Sequence, residues 1–285
     1  MSRFIHAILL AGSPRGDDVA SRCGVSMLDL PIDASGRSLL EAWFEAICAD
    51  DAGADRASII ACSPKTSPTP GRFRPLPAGV RFVPDRGDVR GTGGSTLDAL
   101  EHATDDEWVL IAEAGRIPIP PFAELVAARA ADDGAAVYLG VHADQSPAGV
   151  MLASVGALRR GRKAQFSDLK EQILPELIAR GEVVRGVTLS RTSHSIRTRA
   201  EYLAALANAL EWASAASDGV RARIVDRGIR DSIVCAGASV SVGATLGWSV
   251  LLPGARVGAD AVVISSVLGP SAVVRSSEKM IEREA

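Results

Sequence analysis

The stretch from Ile233 to Val274, IVCAGASVSVGATLGWSVLLPGARVGADAVVISSVLGPSAVV, carries aliphatic residues at intervals of about six. Glycines stand between many of them, where a chain would turn a corner. This period is typical of a hexapeptide β-helix, in which short strands end at corners and successive coils stack. The alternative is an ordinary stack of β-hairpins, which a period kept across eight positions disfavours. The repeating residues are Val234, Val240, Leu246, Leu251, Val257, Val263, Leu268 and Val274, with Gly243, Gly254, Gly258 and Gly269 at the corners.

Upstream of this repeat, strand-like apolar runs alternate with stretches of helical spacing. Such alternation predicts a doubly wound α/β sheet. Between residues 63 and 77 five prolines predict a loop. The expected strands are 4–10, 57–62, 80–83, 108–112, 135–141, 149–153 and 183–189, and the expected helices are 39–48, 97–103, 121–131, 168–180 and 199–212. The predicted domains are an α/β domain at 1–218, a β-helix at 228–276 and a charged tail at 277–285, which can cap the β-helix as a short helix.

The composition excludes several classes of protein. With 31 Lys and Arg against 34 Asp and Glu, the formal net charge is −3, so no overall basic field exists to hold a nucleic acid. Residues 4–11 are apolar but too few to span a bilayer, and no signal-peptide pattern follows, so we expect a cytoplasmic protein without a membrane segment. Cys23, Cys48, Cys62 and Cys235 share no C-x-x-C spacing, which predicts reduced thiols.

Several short motifs precede the repeat in a fixed order. They are 9–12, 30–32 with 38–41, 91–94, a strand ending at Gly115, 168–177 and the pair Glu201-Tyr202. Closed by the hexads, this order resembles the nucleoside-diphosphate-sugar pyrophosphorylases, in particular the mannose-1-phosphate guanylyltransferase-like and glucose-1-phosphate nucleotidyltransferase-like proteins. The resemblance implies a Rossmann-like nucleotidyltransferase domain with a short left-handed β-helix. It also implies a reaction that joins a nucleoside triphosphate to a sugar 1-phosphate, with a divalent metal holding the phosphates.

The first loop of that family reads L-A-G-G-x-G-T-R. Its glycines let backbone N–H groups approach the triphosphate, and its arginine neutralises the charge. The residues here are Leu10, Ala11, Gly12, Ser13, Pro14, Arg15, Gly16 and Asp17. Asp17 therefore stands where the arginine belongs, although a shorter loop would give Arg15 the cationic role. The acidic pair Asp17-Asp18 is unfavourable beside a triphosphate.

The other charged positions of the family are also replaced. Met27 stands where a lysine precedes the L-P-[IV] segment, Arg116 where the first metal-binding aspartate follows Gly115, and Ser195 where the second aspartate belongs. Glu113 offers a single carboxylate, which is a poor magnesium site by itself. The sugar-phosphate E-K-P segment is missing from 141–151. Because positioning and charge neutralisation carry nucleotidyl transfer, these losses predict impaired catalysis.

The candidate ligand contacts follow from the same resemblance. Arg116 is either a solvated surface arginine or a replacement for the metal's charge beside a phosphate. The loop at 91–93 either contacts a base or sugar or is a plain turn that opens a helix. We predict no catalytic residue and no metal ligand. The predicted nucleotide-binding residues are Leu10, Ala11, Gly12, Ser13, Arg15, Gly91, Thr92 and Gly93, with Arg116 as a possible phosphate contact.

Three functions are compatible with this sequence. The first is a non-catalytic relative that binds a nucleotide or nucleotide sugar, or that acts as a regulatory or scaffold subunit, without a cofactor. The second is an active, magnesium-dependent nucleotidyltransferase that uses Arg15, Arg116 and Lys163 or Lys170 as replacement cations. The third is a hexapeptide acyltransferase, which ranks last because no histidine follows His194 to serve as a base. A homodimer through the β-helix is expected, since about two coils leave apolar ends to cover.

Overall fold

The computed structural model describes residues 6–11, 18–33, 35–48, 56–61, 80–84, 90–118, 122–132, 134–162, 166–216 and 228–285. They fall into two compact units, one within the ranges 1–14, 43–67 and 76–193, and the other within 15–42, 68–75 and 194–285. This division differs from the predicted boundary near 218, because residues 18–42 and a helix before 217 cluster with the C-terminal residues. The proline-rich loop at 63–77 lies outside the described residues. Within the described ranges, no helix has the length and apolar character needed to cross a membrane.

The helices fall in both units. In chain order they are α1 Val19–Arg22, a 3-10 turn at Met27–Asp29, α2 Leu39–Cys48, α3 Gly91–Ala99, α4 Ala123–Ala131, α5 Val155–Gly161, a π-helical turn at Leu169–Ile173, α6 Leu174–Ala179 and α7 Arg199–Ala216. The short α5 is absent from the sequence-based prediction, and α3 begins six residues earlier than the predicted 97. The glycine-rich segment thus forms the first turn of α3 instead of preceding it.

Seven strands form one mixed sheet in the first unit. They are β1 His6–Leu10, β2 Arg56–Ala61, β3 Val80–Pro84, β4 Trp108–Glu113, β5 Val137–Val141, β6 Pro147–Ser154 and β7 Val184–Thr188. They lie in the order β3-β2-β1-β4-β6-β5-β7. All neighbouring pairs are parallel except those made by β6, which is antiparallel to β4 and β5. The short connection between β5 and β6 explains this, because a parallel crossover needs a dozen or more residues.

The core of this unit lies between the sheet and its helices. Val109 and Ile111 of β4 pack with Leu97 of α3, Leu158 of α5 and Leu177 of α6. The intervening Leu110 and Ala112 are also buried. Since successive strand residues point to opposite faces, β4 is covered on both sides. The α/β class predicted for this part of the chain is confirmed.

Residues 228–285, called the coil below, contain ten short strands in three parallel sheets. The strands are β8 Ile229–Arg230, β9 Ile233–Val234, β10 Ser239–Val240, β11 Thr245–Gly247, β12 Val250–Leu251, β13 Arg256–Val257, β14 Val262–Ile264, β15 Val267–Leu268, β16 Val273–Val274 and β17 Lys279–Ile281. The sheet orders are β10-β13-β16, β17-β14-β11-β8 and β15-β12-β9. In each sheet, a residue pairs with the one 17 positions later, as Val250 does with Val267. This arrangement is compatible with the predicted β-helix.

A ladder of serine side chains follows the same spacing. The backbone N–H of Ser249 donates to the hydroxyl of Ser232 at 3.1 Å, and that of Ser266 donates to Ser249 at 3.1 Å. All three side chains are buried. Each hydroxyl also donates to a carbonyl two residues earlier at 2.8 Å, so the ladder satisfies its own buried polar groups.

The apolar repeat fills the interior of the coil with one exception. Leu246, Leu251 and Val263 are buried, whereas Val234 is 39% exposed. Val234 belongs to β9, an edge strand of its sheet, so no earlier strand covers it. The other buried repeat residues are Val257, Leu268 and Val274, and Val240 is half-buried.

The predicted charged tail at 277–285 continues the coil and forms no capping helix. Lys279–Ile281 is β17 and pairs with β14 in the same 17-residue register. Met280 packs against the interior, and Glu284 forms a bridge with Val267. The two sizeable apolar residues of this segment are enough for a strand because the preceding coil supplies a ready-made partner.

In the second unit, helices also pack on the coil. A small cavity lies between α7 and the coil. It is lined by Leu203, Leu206 and Ala207 of α7 and by Asp231, Ile233, Trp248, Ser249 and Val250 of the coil. Beside α1, the thiol of Cys23 donates to the carbonyl of Val267 at 3.6 Å, and burial raises the pKa of this thiol to about 12. The outward side of the β15-β12-β9 sheet is therefore covered by residues of the same unit.

Candidate functional site

The strand order of the large sheet reverses between β1 and β4. From β1, the chain adds β2 and β3 on one side, and β4 then lies on the other. Crevices that bind ligands in α/β proteins form beyond the carboxyl ends of strands at such a point. Leu10 at the end of β1 is level with Glu113 at the end of β4. Leu10 and Ala11 are half-buried there, while the predicted contacts Gly12, Ser13 and Arg15 lie outside the described residues.

Two cations converge on Glu113. Its Oε1 bonds to Nζ of Lys170, and its Oε2 lies 3.4 Å from Nε of Arg116. The side chains of Glu113 and Arg116 are 20% and 23% exposed, and that of Lys170 is 48% exposed. One carboxylate thus faces a pair of cations. We call Glu113, Arg116, Lys170 and Ser193 the Glu113 cluster.

Arg116 is held in place by further contacts. Its Nη1 donates to the hydroxyl of Ser193 at 3.2 Å. That hydroxyl donates to the carbonyl of Ala148 at 2.9 Å and lies 3.3 Å from Nε2 of His142. These contacts and the low exposure exclude the reading of Arg116 as a freely solvated arginine.

Gly149 makes room for the arginine. A Cβ at this position would lie 2.5 Å from Cδ of Arg116 and 2.7 Å from its Nε, and the φ angle of Gly149 is +76°. Either condition disfavours any other residue. Gly149, Ser193 and His142 are not among the residues predicted from the sequence. An isolated glycine in a predicted strand at 149–153 was the one available signal, since such a glycine often marks a close approach.

The glycine-rich start of α3 packs against the segment before α6. The backbone N–H groups of Gly93 and Gly94 donate to the carbonyl of Ser167 at 2.7 and 3.0 Å. A Cβ on Gly93 would lie 2.4 Å from Cδ1 of Ile173, and one on Gly91 would lie 2.6 Å from the carbonyl oxygen of Ser167. Close packing therefore accounts for these glycines. The Ser167 carbonyl also accepts from the N–H groups of Gly93 and Gly94, which an anionic ligand would otherwise use at this end of the helix.

Thr92 and Asp168 lock the same two segments together. The Thr92 hydroxyl donates to Oδ2 of Asp168 at 2.9 Å and accepts from the N–H of Leu169 at 3.0 Å. Asp168 also accepts from the N–H groups of Lys170 and Glu171 at 2.8 and 2.9 Å, which caps the π-helical turn. The backbone of Lys170 is thereby fixed near the end of β4. Lys163, the other lysine proposed as a replacement cation, lies outside the described residues.

In the second unit, two residues that replace charged residues of the resembled family have local structural roles. Met27 is buried in the 3-10 turn. The Ser195 hydroxyl and the Thr198 N–H each donate to Oε2 of Glu201 at 3.0 Å. The N–H of Glu201 returns a bond to the Thr198 hydroxyl at 3.2 Å, which completes a capping box for α7. Burial raises the pKa of Glu201, but these hydrogen bonds outweigh it and hold the pKa below its usual value. The motif at 38–41 is a second capping box, between Ser38 and Glu41.

No group of three or more His, Cys, Asp and Glu side chains in the described part of the chain is placed to hold a metal ion.

Comparisons with known proteins inform the fold alone. No protein-family model matches the sequence. No curated protein matches it either. Solved structures do match, among them the crystal structure of the Mycobacterium tuberculosis rv0371c homologue from Mycobacterium sp. strain JC1. The two chains are 17% identical with a TM-score of 0.50, and the match covers 72% of this chain and 96% of that chain. A likeness at this level supports a mixed α/β fold.

Proposed function

We propose that the first unit is a Rossmann-like, nucleotidyltransferase-like domain that binds a nucleotide or a nucleotide sugar and is catalytically impaired. The observation that carries this proposal is the convergence of Lys170 and Arg116 at the end of β4. Charge-assisted contacts of this kind, and arginine in particular, suit phosphate oxygens. Their place beside the reversal of strand order is where a ligand crevice is expected. Leu10 and Ala11 border the same end of the sheet.

The residues at this end of the sheet do not fit a divalent metal. Magnesium sites use carboxylate and phosphate oxygens, and a second carboxylate normally shares the charge. Here both oxygens of Glu113 face cations, so a metal ion would have to displace Lys170 and Arg116 and then sit beside them. We therefore assign no step to a metal. Positive charge near the phosphates comes from side chains.

We propose impaired catalysis because three charged positions of the resembled family are replaced. Loss of one group that stabilises developing charge typically costs about 10²–10³ in rate. Met27, Arg116 and Ser195 occupy three positions where the resembled family carries a lysine and two aspartates, and Met27 and Ser195 have the structural roles described above. We accordingly propose a regulatory or scaffold role based on ligand binding.

An active, divergent nucleotidyltransferase is the second candidate. The position of Lys170 favours it, because this lysine lies at the end of β4 and not on a remote helix face. Two cations at one site offer electrostatic stabilisation to a transferring phosphoryl group. In the free protein, however, the carboxylate of Glu113 offsets the positive charge of these two side chains.

Titration calorimetry with nucleoside triphosphates and nucleotide sugars tests the proposal, in magnesium and in a chelator. We expect binding whose affinity changes less than about threefold on chelation, since side chains supply the positive charge. A pyrophosphate-release assay with sugar 1-phosphates should show no turnover above background. Release that requires both substrates would establish the active enzyme instead, and a complete lack of nucleotide binding would refute the ligand-binding proposal.

For the second unit, we propose that the coil is a short left-handed β-helix that joins two copies of the chain. Several apolar side chains of the coil remain exposed, notably Val242 at 82%, Val273 at 62% and Ile281 at 52%. Two-fold pairing is the commonest way in which such surfaces are covered between identical chains.

A further inference from the structure

We propose that Glu113 is an internal substitute for a ligand phosphate, and that a phosphate-bearing ligand binds by displacing it from Lys170 and Arg116. This inference rests on the proposed function and specifies how its site is kept closed. In the free protein, the two oxygens of Glu113 take one cation each, through Nζ of Lys170 and Nε of Arg116. Two oxygens of a phosphate group present the same charge-assisted acceptors to the same donors.

The side chain of Arg116 and the backbone of Lys170 are held by contacts that do not involve Glu113. Arg116 donates to Ser193 at 3.2 Å and lies against the bare backbone of Gly149. The backbone of Lys170 is fixed by the carboxylate of Asp168 at 2.8 Å. Departure of the Glu113 carboxylate would therefore leave the guanidinium of Arg116 in place and the flexible side chain of Lys170 within reach of another anion.

Glu113 itself is placed to leave without disturbing the sheet. It is the last residue of β4, and its backbone stays in register with Leu10 of β1. Its side chain is 20% exposed, so a rotation about side-chain bonds turns the carboxylate towards solvent. The exchange replaces one set of charge-assisted contacts by another, which makes the carboxylate a competitor of the ligand.

The charge of the ligand determines how readily it displaces Glu113. A bound diphosphate carries several negative charges and would repel the nearby carboxylate of Glu113. A ligand with several negative charges displaces Glu113 more readily than one with a single charge. The site thus selects diphosphate and triphosphate groups over monoanions.

The test is calorimetric titration of the full chain with inorganic pyrophosphate at low salt in a chelator. Glu113→Gln keeps the shape of the side chain and removes the competing charge, so it should tighten pyrophosphate binding about tenfold. Lys170→Gln should weaken it by a similar factor. Glu171→Gln is the matched control, because it removes the same charge from an exposed neighbour of Lys170 and should change affinity less than about twofold.

Glu113→Ala provides a second variant with the same expected direction, and circular dichroism confirms that each variant is folded. The inference is overturned if neither Glu113 variant binds pyrophosphate more tightly than the original chain, or if Glu171→Gln tightens binding equally. Nucleotides separate this inference from the proposed function. Nucleotide binding that is equal in the original chain and in Glu113→Gln would sustain the function and refute the competition. Tighter pyrophosphate binding in Glu113→Gln without any nucleotide binding would sustain the competition and refute the proposed function.

Discussion

The coil and the Glu113 cluster lie in different units and are assembled in opposite ways. In the coil, neighbouring side chains come from positions 17 apart, so Ser232, Ser249 and Ser266 repeat one environment. In the Glu113 cluster, Lys170 comes from 57 positions away along the chain, and Arg116 meets Ser193 across 77. No period links these partners.

This difference affects what a substitution can disturb. A repeated position in the coil contributes mainly to packing, and its neighbours above and below have nearly the same surroundings. In the Glu113 cluster, each side chain has a distinct partner, so substitutions there change charge and position at one site. Stability should therefore depend more on the coil interior, and ligand binding more on the cluster.

The largest effect is expected in the coil interior. Leu251→Ala removes a fully buried side chain and should lower the free energy of unfolding by about 3 kcal/mol, because the lost contacts leave a cavity. Val234→Ala is the matched control, since Val234 pairs with Leu251 but is 39% exposed, and it should cost less than about 1 kcal/mol. Urea denaturation measures both, and hydrogen exchange locates the loss. Equal costs for the two variants would mean that the coil has no distinct interior.

A smaller effect on stability, but a specific effect on binding, is expected at Gly149. Gly149→Ala introduces a side chain at positive φ and against Arg116, which should cost about 1–2 kcal/mol and move the guanidinium. Gly181→Ala carries a similar φ penalty at +80°, but nothing lies within 4 Å of its Cβ position. Pyrophosphate affinity should fall in the first variant and stay unchanged in the second. A parallel loss in both would show that Arg116 is not positioned by Gly149.

The last prediction concerns the oligomeric state of the chain and involves no loss of stability. The exposed apolar side chains of the coil predict a dimer of the 29.7 kDa chain at micromolar concentration. Light scattering across a range of concentrations measures it. Because the outward side of one sheet is already covered by α7 and Cys23, a monomer at all concentrations would mean that this internal cover suffices.

Much of the fold was predictable from local patterns. The buried strands β1 and β4 and the hexads of the coil have apolar spacing that matches their structures. The strand at 149–153 was predicted and is part of β6, but its antiparallel direction was not, because apolar runs do not record strand direction. The strand at 279–281 was missed because Lys279 is charged, although its outward position in the register tolerates that charge. Less of the site was predictable, since the loop at 91–93 has a packing role and the partners of Arg116 come from distant parts of the chain. The assignments of Gly12, Ser13 and Arg15 stay predictions, because these residues lie outside the described residues.

By itself, the sequence determined the classes of structure, an α/β part followed by a repeating β part. The reason is that the spacing of apolar residues is a local property of the chain, and it indicates which strands and helices can bury one face. It also located Arg116 at the end of a strand. Only the tertiary structure decided that Arg116 and Lys170 share the carboxylate of Glu113, and that Gly149 and Ser193 hold the arginine. The physical reason is that charge pairing depends on distances of a few ångströms between residues far apart in the chain, and the order of strands in the sheet sets those distances.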